Sequence, residues 1–482
     1  MKRLLVLLLA SCATTTPTAP EAKWVSDTAT VTPAAPATGA LATQYRDAAA
    51  KIIAAARADR GAYEKLEQLT DNIGHRLSGS HELDLAIAWA VQTMTADGHA
   101  VHTEKVLVPH WVRGAEDASI VAPIARPLAV LGLGGTIGTS KAGVTAPLVV
   151  VHTWDELAAK GDAVKGAIVL YDVPMPPFTP EKNDPHYGEI VGYRSAGASK
   201  AAKLGAVAVL MRSVTARSLY TLHAGAMDYA PDAPKIPAAA VTVEDAAWLA
   251  RLAAKGPVSV HLHLEDQTLP DAESANVIGE LRGREKPDEV IVIGGHIDSW
   301  DVGHGAHDDG AGIVTMMEAL TVLRKLGMTP RRTIRVVLYT NEENGVRGGK
   351  GYAKDHEAEL AKTVVGIESD TGGFSPVGFR VDAKDRVKDA VKARVADIGS
   401  LLAPLHANKV DFGHSGTDVG QMDVGGVVTL GLEVNMATYF DYHHTNADTL
   451  DKVDPQQLAD DVAACAVMAY VIADMPDRID AP

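Results

Sequence analysis

The stretch GGHIDSWDVGHGAHDDGAG, residues 294–312, holds three histidines and four aspartates among six glycines, directly after the apolar run VIVI at 290–293. The same residue types recur at three other places. Glu342 and Glu343 follow RVVLYTN, Asp370 follows TVVGIES, and His443 and His444 sit in DYHHTNADT after VVTLGLEV. Several carboxylates cannot share a pocket as bare anions, so protons or cations must neutralise them. Two histidines with three carboxylates carry about −3 against about +4 from two divalent cations, and an activated hydroxide offsets the remainder. Mixed imidazole and carboxylate donors suit Zn²⁺ best, ahead of Co²⁺ or Mn²⁺. A metal pair about 3.5–4 Å apart polarises a carbonyl and readies a water, while a nearby carboxylate carries the proton. That chemistry is hydrolysis. Asp298 lies two residues beyond His296, on the same side of an extended chain, and is the natural partner for its imidazole. Glu342 and Glu343 are adjacent and must point differently; one can bind metal and one can act as base, and spacing does not say which. The extra histidines His304, His307 and His443 are read as bystanders.

Ligands drawn from four places need elements that bring them together. In an open parallel sheet functional groups gather beyond the carboxyl ends of the strands. From Ala275 onward the chain alternates EVIVIGG, GIVTMMEALTVLRKLG, TIRVVLYT, TVVGIESD and VVTLGLEV. Near-continuous apolar strands alternating with helices predict an α/β fold with a mostly parallel mixed sheet covered by helices on both faces. Ile313, Met316, Met317, Leu320 and Leu323 share one face of a core-facing helix. From Pro147 to about Leu264 the texture changes to short apolar strands with Gly and Pro turns around one helical segment, GASKAAKLG, which predicts a β-rich module. A helical pattern starts near Gln44. LGLGGTIGTS, from Leu131 to Ser140, lacks the full dinucleotide spacing and is read as a loop.

The bulk properties bound the partners. A length of 482 residues gives a large core and suggests two or three domains. A hydrophobic content of 46% and a mean hydropathy near zero fit a globular protein rather than a multi-span membrane protein. The net charge of −16 argues against nucleic acid, which requires clustered Lys and Arg. Of the two cysteines, Cys465 sits in an Ala-rich helical pattern as a small buried residue. Cys12 ends MKRLLVLLLASC, which is similar to a bacterial lipoprotein signal, with cleavage before Cys12 and lipid on its sulfur. Residues 1–11 are then a signal peptide and 12–42, rich in Thr, Pro and Ala, a flexible tether. The expectation is an exported periplasmic or cell-surface lipoprotein. Ala13, a non-acidic neighbour, suits outer-membrane anchoring, and the lipid is the chain's only membrane contact.

The motifs HIDSWDVGHGAHDDGAG, TNEENG, ESD and HHTNADT resemble, in order and spacing, those of the co-catalytic dizinc peptidases that include bacterial leucyl aminopeptidases. LTDNIGHRLSGS, LGGTIGT, RSVTARSLYTLHAG and IPAAAVTVEDA extend the resemblance over roughly residues 44–475 and point to one branch of the family. The resemblance implies the zinc-exopeptidase fold over 43–115 and 270–482, with a protease-associated β-rich domain inserted at 116–269. It implies two Zn²⁺ per chain. His296, Asp308 and Asp370 would hold one, and Asp308 would bridge to a second held by Glu343 and His444. Glu342 would be the general base and Asp298 would orient His296. It also implies a cis Asp308–Asp309 peptide and a substrate pocket lined by GHSGTDVGQ, residues 413–421. His307 departs from the family, which places a small, apolar or amide residue before the bridging Asp. The implied activity is exopeptidase cleavage of small unblocked peptides, dipeptides first, and a homodimer is admitted. An aminopeptidase on longer peptides is the nearest alternative. A single-zinc glutaminyl cyclase or a non-enzymatic receptor-like relative is remote, because all five ligands and Glu342 are present.

Overall fold

The computed structural model describes residues 39–481. Cys12, the signal segment and nearly all of the expected tether lie outside them. The chain builds two eight-stranded sheets. Among the described residues no helix is long and apolar enough to cross a membrane.

The first sheet runs in the order Ala100–Val112, Gln267–Leu281, Arg332–Tyr339, Lys286–His296, Thr363–Glu368, Thr429–Val434, Pro376–Asp382, Lys409–Phe412. The four strands from Arg332–Tyr339 to Thr429–Val434 are parallel to one another. The pairings toward both edges bring in antiparallel neighbours, so the sheet is mixed around a parallel centre. The VIVI run shows why the centre is buried on both sides. Ile291 and Ile293 join the large core beneath the helices Gly312–Lys325 and Pro455–Asp474, whereas Val290 and Val292 join a second cluster with Tyr352 and Met422 on the opposite face. Alternation along a strand sends successive side chains to opposite faces, and here both are apolar.

The helix Gly312–Lys325 differs from the one-faced helix expected. Every residue from Gly312 to Leu323 is buried. It is wedged between the sheet and the helices Ala40–Ala58, Gly61–Asn72 and Pro455–Asp474, so no face meets solvent. Its one acid, Glu318, is neutralised by Lys65 and by Lys325, the latter at 3.0 Å. Pro455–Asp474 opens on Asp454, whose side chain accepts from Gln456 N and Gln457 N while Pro455 takes a position that has no donor to satisfy. Cys465 is fully buried within it.

All strands of the second sheet lie between Glu116 and Leu264. This region is more helical than its sequence texture suggests. It contains Trp154–Lys160, Tyr187–Lys203 and Val243–Ala253, where one helical segment was expected. The Gly132-x-Gly134 segment leaves a short strand and forms a loop, with Gly134 N donating to Gly225 O. A Cβ on Gly134 would collide with the Trp300 ring, so its glycine makes room for a side chain of the metal-ligand loop.

Candidate metal centre

His296 ends the strand Lys286–His296, and the loop that follows returns Asp308 to it. The His296 Nδ1 lies 3.0 Å from the carbonyl oxygen of Asp298. A carbonyl only accepts, so Nδ1 carries the proton and the Nε2 lone pair faces outward. His296 Nε2 stands 3.3 Å from Asp308 Oδ1 and 3.2 Å from Asp370 Oδ1. His444 repeats the arrangement from the other side. Its Nδ1 is 3.3 Å from the Ala224 carbonyl oxygen, and its Nε2 is 3.1 Å from both Asp308 Oδ2 and Glu343 Oε2. Asp308 therefore has one carboxylate oxygen toward each histidine. The cis Asp308–Asp309 peptide lies at this point of the loop.

A lone pair aimed at a carboxylate oxygen is repulsive unless a cation lies between them. The same geometry leaves Asp308 Oδ2 and Glu343 Oε1 buried without a hydrogen-bond partner. His296, Asp308 and Glu343 can each offer a ligand atom to one ion, as can His296 with Asp309 and Asp370, or Asp308 with His443 and His444. Imidazole and carboxylate donors, buried and otherwise unsatisfied, fit zinc.

The electrostatics show the same demand for a cation. Burial opposes charge on His296, but Asp370, Asp308 and Asp309 outweigh it and hold its pKa well above the usual value. Burial likewise opposes charge on His444, and Glu343 and Asp308 raise its pKa to about 10. Burial, with Asp308 beside it, pushes Glu343 up to about 7. Burial pushes Glu342 well above the carboxylate range, with Asp370 and Glu343 adding to the rise. Glu342 lines the cavity and makes no side-chain hydrogen bond among the described residues, which leaves its carboxyl free to accept or give a proton.

Asp298 acts through two groups. Its carbonyl orients His296, while its carboxylate accepts from Glu342 N at 3.0 Å and Glu343 N at 3.3 Å. It thus ties the glutamate pair to the histidine strand. Asn341, at φ 65, turns the chain just before those glutamates. The extra histidines separate cleanly. His304 is exposed and joins the site only through its backbone. His307 is sandwiched between Phe374 and Tyr442, ring centroids 4.3 and 5.7 Å away, and burial lowers its pKa to about 4. His443 stacks on His444 at 3.5 Å, with Nε2 3.6 Å from Asp308 Oδ2.

Sequence reasoning gave no backbone-holding role to the groups that fix the loop after His296. Asp448 accepts from His307 N at 2.7 Å and Asp308 N at 3.1 Å. Asp309 accepts from His296 N and Gly312 N, both at 3.0 Å. Arg76, fully buried, donates to the carbonyls of Ile297 at 2.6 Å and of His304 and Gly305 at 3.0 Å. Arg76 lies in LTDNIGHRLSGS, a motif noticed for its family resemblance with no role attached. The metal groups open onto a cavity of about 770 Å³. Asn183 and Tyr187, from the second-sheet region, line it as well.

Residues 276–469 match the model of peptidase family M28. The chain is 41% identical to carboxypeptidase Q of Rattus norvegicus over 440 residues, 90% of each chain. It is 39% identical to carboxypeptidase Q of Homo sapiens over 425 residues, 88% of this chain and 87% of that one. Among solved structures, a peptidase M28 precursor from Shewanella amazonensis SB2B superposes with a TM-score of 0.85 at 36% identity, covering 90% of this chain and 98% of that one. A zinc aminopeptidase from Bacillus subtilis shares the fold at 19% identity, with a TM-score of 0.62 and coverage of 87% and 96%. The histidine and carboxylate constellation thus sits in a chain that matches carboxypeptidase Q proteins along nearly its whole length, and the chain belongs to peptidase family M28.

Proposed function

We propose that this metallopeptidase is an exopeptidase for small peptides with free ends, dipeptides above all, and that it works with two zinc ions. His296, Asp308 and Asp370 would hold one, and Asp308, Glu343 and His444 the other. The observation that carries this reading is Asp308, with Oδ1 3.3 Å from one histidine and Oδ2 3.1 Å from the other. Zinc held by these residues would polarise a scissile carbonyl and make water nucleophilic near neutral pH. Glu342 takes the proton of the attacking water onto its carboxylate and returns it to the leaving nitrogen. Its burial supports that role, because burial raises its pKa and makes the carboxylate a stronger base. Asp298 keeps Glu342 in place by accepting from its backbone N–H and keeps the His296 lone pair outward through its own carbonyl. Restriction to short substrates is supported by the second-sheet region, whose Asn183 and Tyr187 cover one side of the cavity.

The same reading makes residues 116–269 an inserted protease-associated domain, and residues 43–115 with 270–482 the peptidase domain. It places lipid on Cys12 and the protein at the outer membrane or cell surface, and it admits a homodimer. A Cys12→Ser variant that stays in the membrane fraction and keeps palmitate label would refute the anchor.

The test of the activity is release of amino acids from free dipeptides, longer peptides and N-acetylated dipeptides, with zinc counted per chain. Two zincs, chelator-sensitive cleavage of free dipeptides and no cleavage by Glu342→Gln are expected. Faster trimming of longer peptides from the amino end would replace the dipeptidase with an aminopeptidase. No cleavage of any peptide by the zinc-loaded protein would sink the reading.

A further inference from the structure

The cavity is not acidic throughout. Lys182, Arg380 and His414 line it together with the carboxylates. Arg380 stands in a defined place relative to the metal centre. It pairs across the sheet with Gly431, and Gly431 pairs with Glu368 on the next strand. The three residues form one row, and residues in a row project on the same face. Glu368 is two residues before Asp370, so one end of the row lies beside the metal groups. Two strand spacings, about 10 Å, separate its ends. The backbone of Ser415 lies over Gly431, between them.

The Arg380 guanidinium is aimed but largely unused. Nη2 donates to Glu433 Oε1 at 3.1 Å, its one hydrogen bond among the described residues, and the side chain is 39% exposed. Glu433 is itself fixed, since the same oxygen accepts from Asn183 Nδ2 at 3.1 Å. A guanidinium has five N–H donors in a planar fork that matches a carboxylate. Lys182 is exposed beside Asn183 and has no ion-pair partner among the described residues. Arg380 shares the Glu433 carboxylate with Lys409, and Lys182 has no ion-pair partner among the described residues, so both can take an anion from the substrate. A peptide with free ends carries one, the α-carboxylate of its last residue. One residue of extended chain spans about 3.5 Å. With the scissile carbonyl among the metal groups, the residue after it and the arginine side chain together match that separation within the shared cavity.

Resting on the peptidase reading above, we infer that Arg380, assisted by Lys182, is the subsite for the α-carboxylate of the residue leaving after cleavage. Dipeptides are then selected by their free carboxyl end, because in a longer peptide held by its amino end that position carries a neutral amide.

The experiment compares Ala-Leu, its C-terminal amide and Ala-Glu amide on the zinc-loaded wild type, Arg380→Gln and Arg380→Lys. Wild type should favour the free acid over the amide by about ten- to hundredfold in kcat/KM, carried by KM, as expected for losing a charge-assisted pair. The ratio should fall toward one in Arg380→Gln and partly return in Arg380→Lys. Equal use of acid and amide by wild type would overturn the subsite. So would a loss in Arg380→Gln that is equal for both, which marks a structural role. Ala-Glu amide performing as well as the free acid would also overturn it, in favour of a side-chain carboxylate site. Calorimetric binding of the reduced-bond analogue of Ala-Leu and of its amide separates the two readings. Preference for the acid analogue, lost in Arg380→Gln, upholds the subsite even if no peptide is cleaved, an outcome that sinks only the peptidase reading. Equal binding of the two analogues refutes the subsite whatever the turnover.

Discussion

Replacing Asp448 should loosen the metal centre without touching a ligand. Its carboxylate, 2% exposed, accepts from His307 N at 2.7 Å and from Asp308 N at 3.1 Å. These two N–H groups fix the backbone that presents Asp308. A hydrogen bond to a charged group contributes about 1.5–3 kcal/mol, so removing both in Asp448→Ala removes roughly 3–6 kcal/mol of gross restraint. The net loss is smaller, because burial, with Asp308 nearby, already opposes the charge and raises the Asp448 pKa to about 7. Asp448→Asn keeps one acceptor but turns an amide N–H toward the other donor. Partners that hold metal ligands typically contribute about ten- to hundredfold in affinity, or roughly 1.4–2.7 kcal/mol, which lies below the gross figure as a net loss should. The expected result is a ten- to hundredfold weaker zinc Kd in Asp448→Asn, and a larger loss in Asp448→Ala. It is read by competition with a fluorescent zinc chelator, with circular dichroism to confirm the fold. A folded Asp448→Ala protein whose zinc Kd stays within twofold of wild type would refute the reasoning and leave Arg76 as sufficient to hold the loop.

Glu342→Gln should keep bound zinc and lose about a hundredfold or more in kcat, the contribution of a positioned proton carrier; loss of metal with loss of rate would instead make it a ligand. Asp266 gives a pH signature away from the metal site. Burial and neighbouring Glu116 raise its pKa from 3.8 to about 7, so in that window the folded state holds a proton that the unfolded chain has released. Its contribution is therefore fully present below about pH 4 and is lost as pH rises to about 7, by roughly 4 kcal/mol at most. Asp266→Asn should gain stability relative to wild type between pH 5 and 7, and parallel urea midpoints across that range would count against it. Gly134→Ala places a methyl group against Trp300, and overpacking should cost about 1–3 kcal/mol, seen as a lower melting temperature; an unchanged melting temperature would mean that Trp300 moves freely.

What could be read from the sequence is what residue type and strand ends disclose locally. Each ligand candidate follows an apolar strand, and the parallel centre of the sheet brings four of those ends together. The groups that hold the loops are invisible at that level. Asp448 meets Asp308 across 140 residues and Arg76 meets Ile297 across 221, and although each lies in a quoted motif, HHTNADT or LTDNIGHRLSGS, nothing there shows which backbone it holds. The sense in which Asp298 serves His296 also escaped, because a backbone carbonyl does the work that a carboxylate was expected to do. The helix Gly312–Lys325 looked one-faced because periodicity reports the most apolar stripe and not how many neighbours surround it. The helix Val243–Ala253 did carry a signal, since the Thr242 side chain accepts from Asp245 N at its start. The short strands on either side drew the reading toward β structure.

The second-sheet region is part of the metal centre in a way that its separate sheet conceals. His444 has φ 60, an unfavourable conformation for a residue with a side chain, and something must hold it there. Ala224 does so from the second-sheet region, donating its N–H to the His444 carbonyl at 2.9 Å and offering its own carbonyl to Nδ1. The stacking of Tyr187 on Phe440 at 4.7 Å and the bonds from Asn183 to Glu433 and Val434 fasten the same region to the chain on either side of the Thr429–Val434 strand end. Arg113, just ahead of that region, bridges its Glu116 to Asp301 of the loop after His296, with ion pairs of 2.8 Å to each. A chain without this region would have no acceptor for His444 Nδ1, and the tautomer that turns the Nε2 lone pair toward Asp308 would lose its cause. The region's first role is therefore to set the His444 ring, and lining the cavity follows from the same contacts.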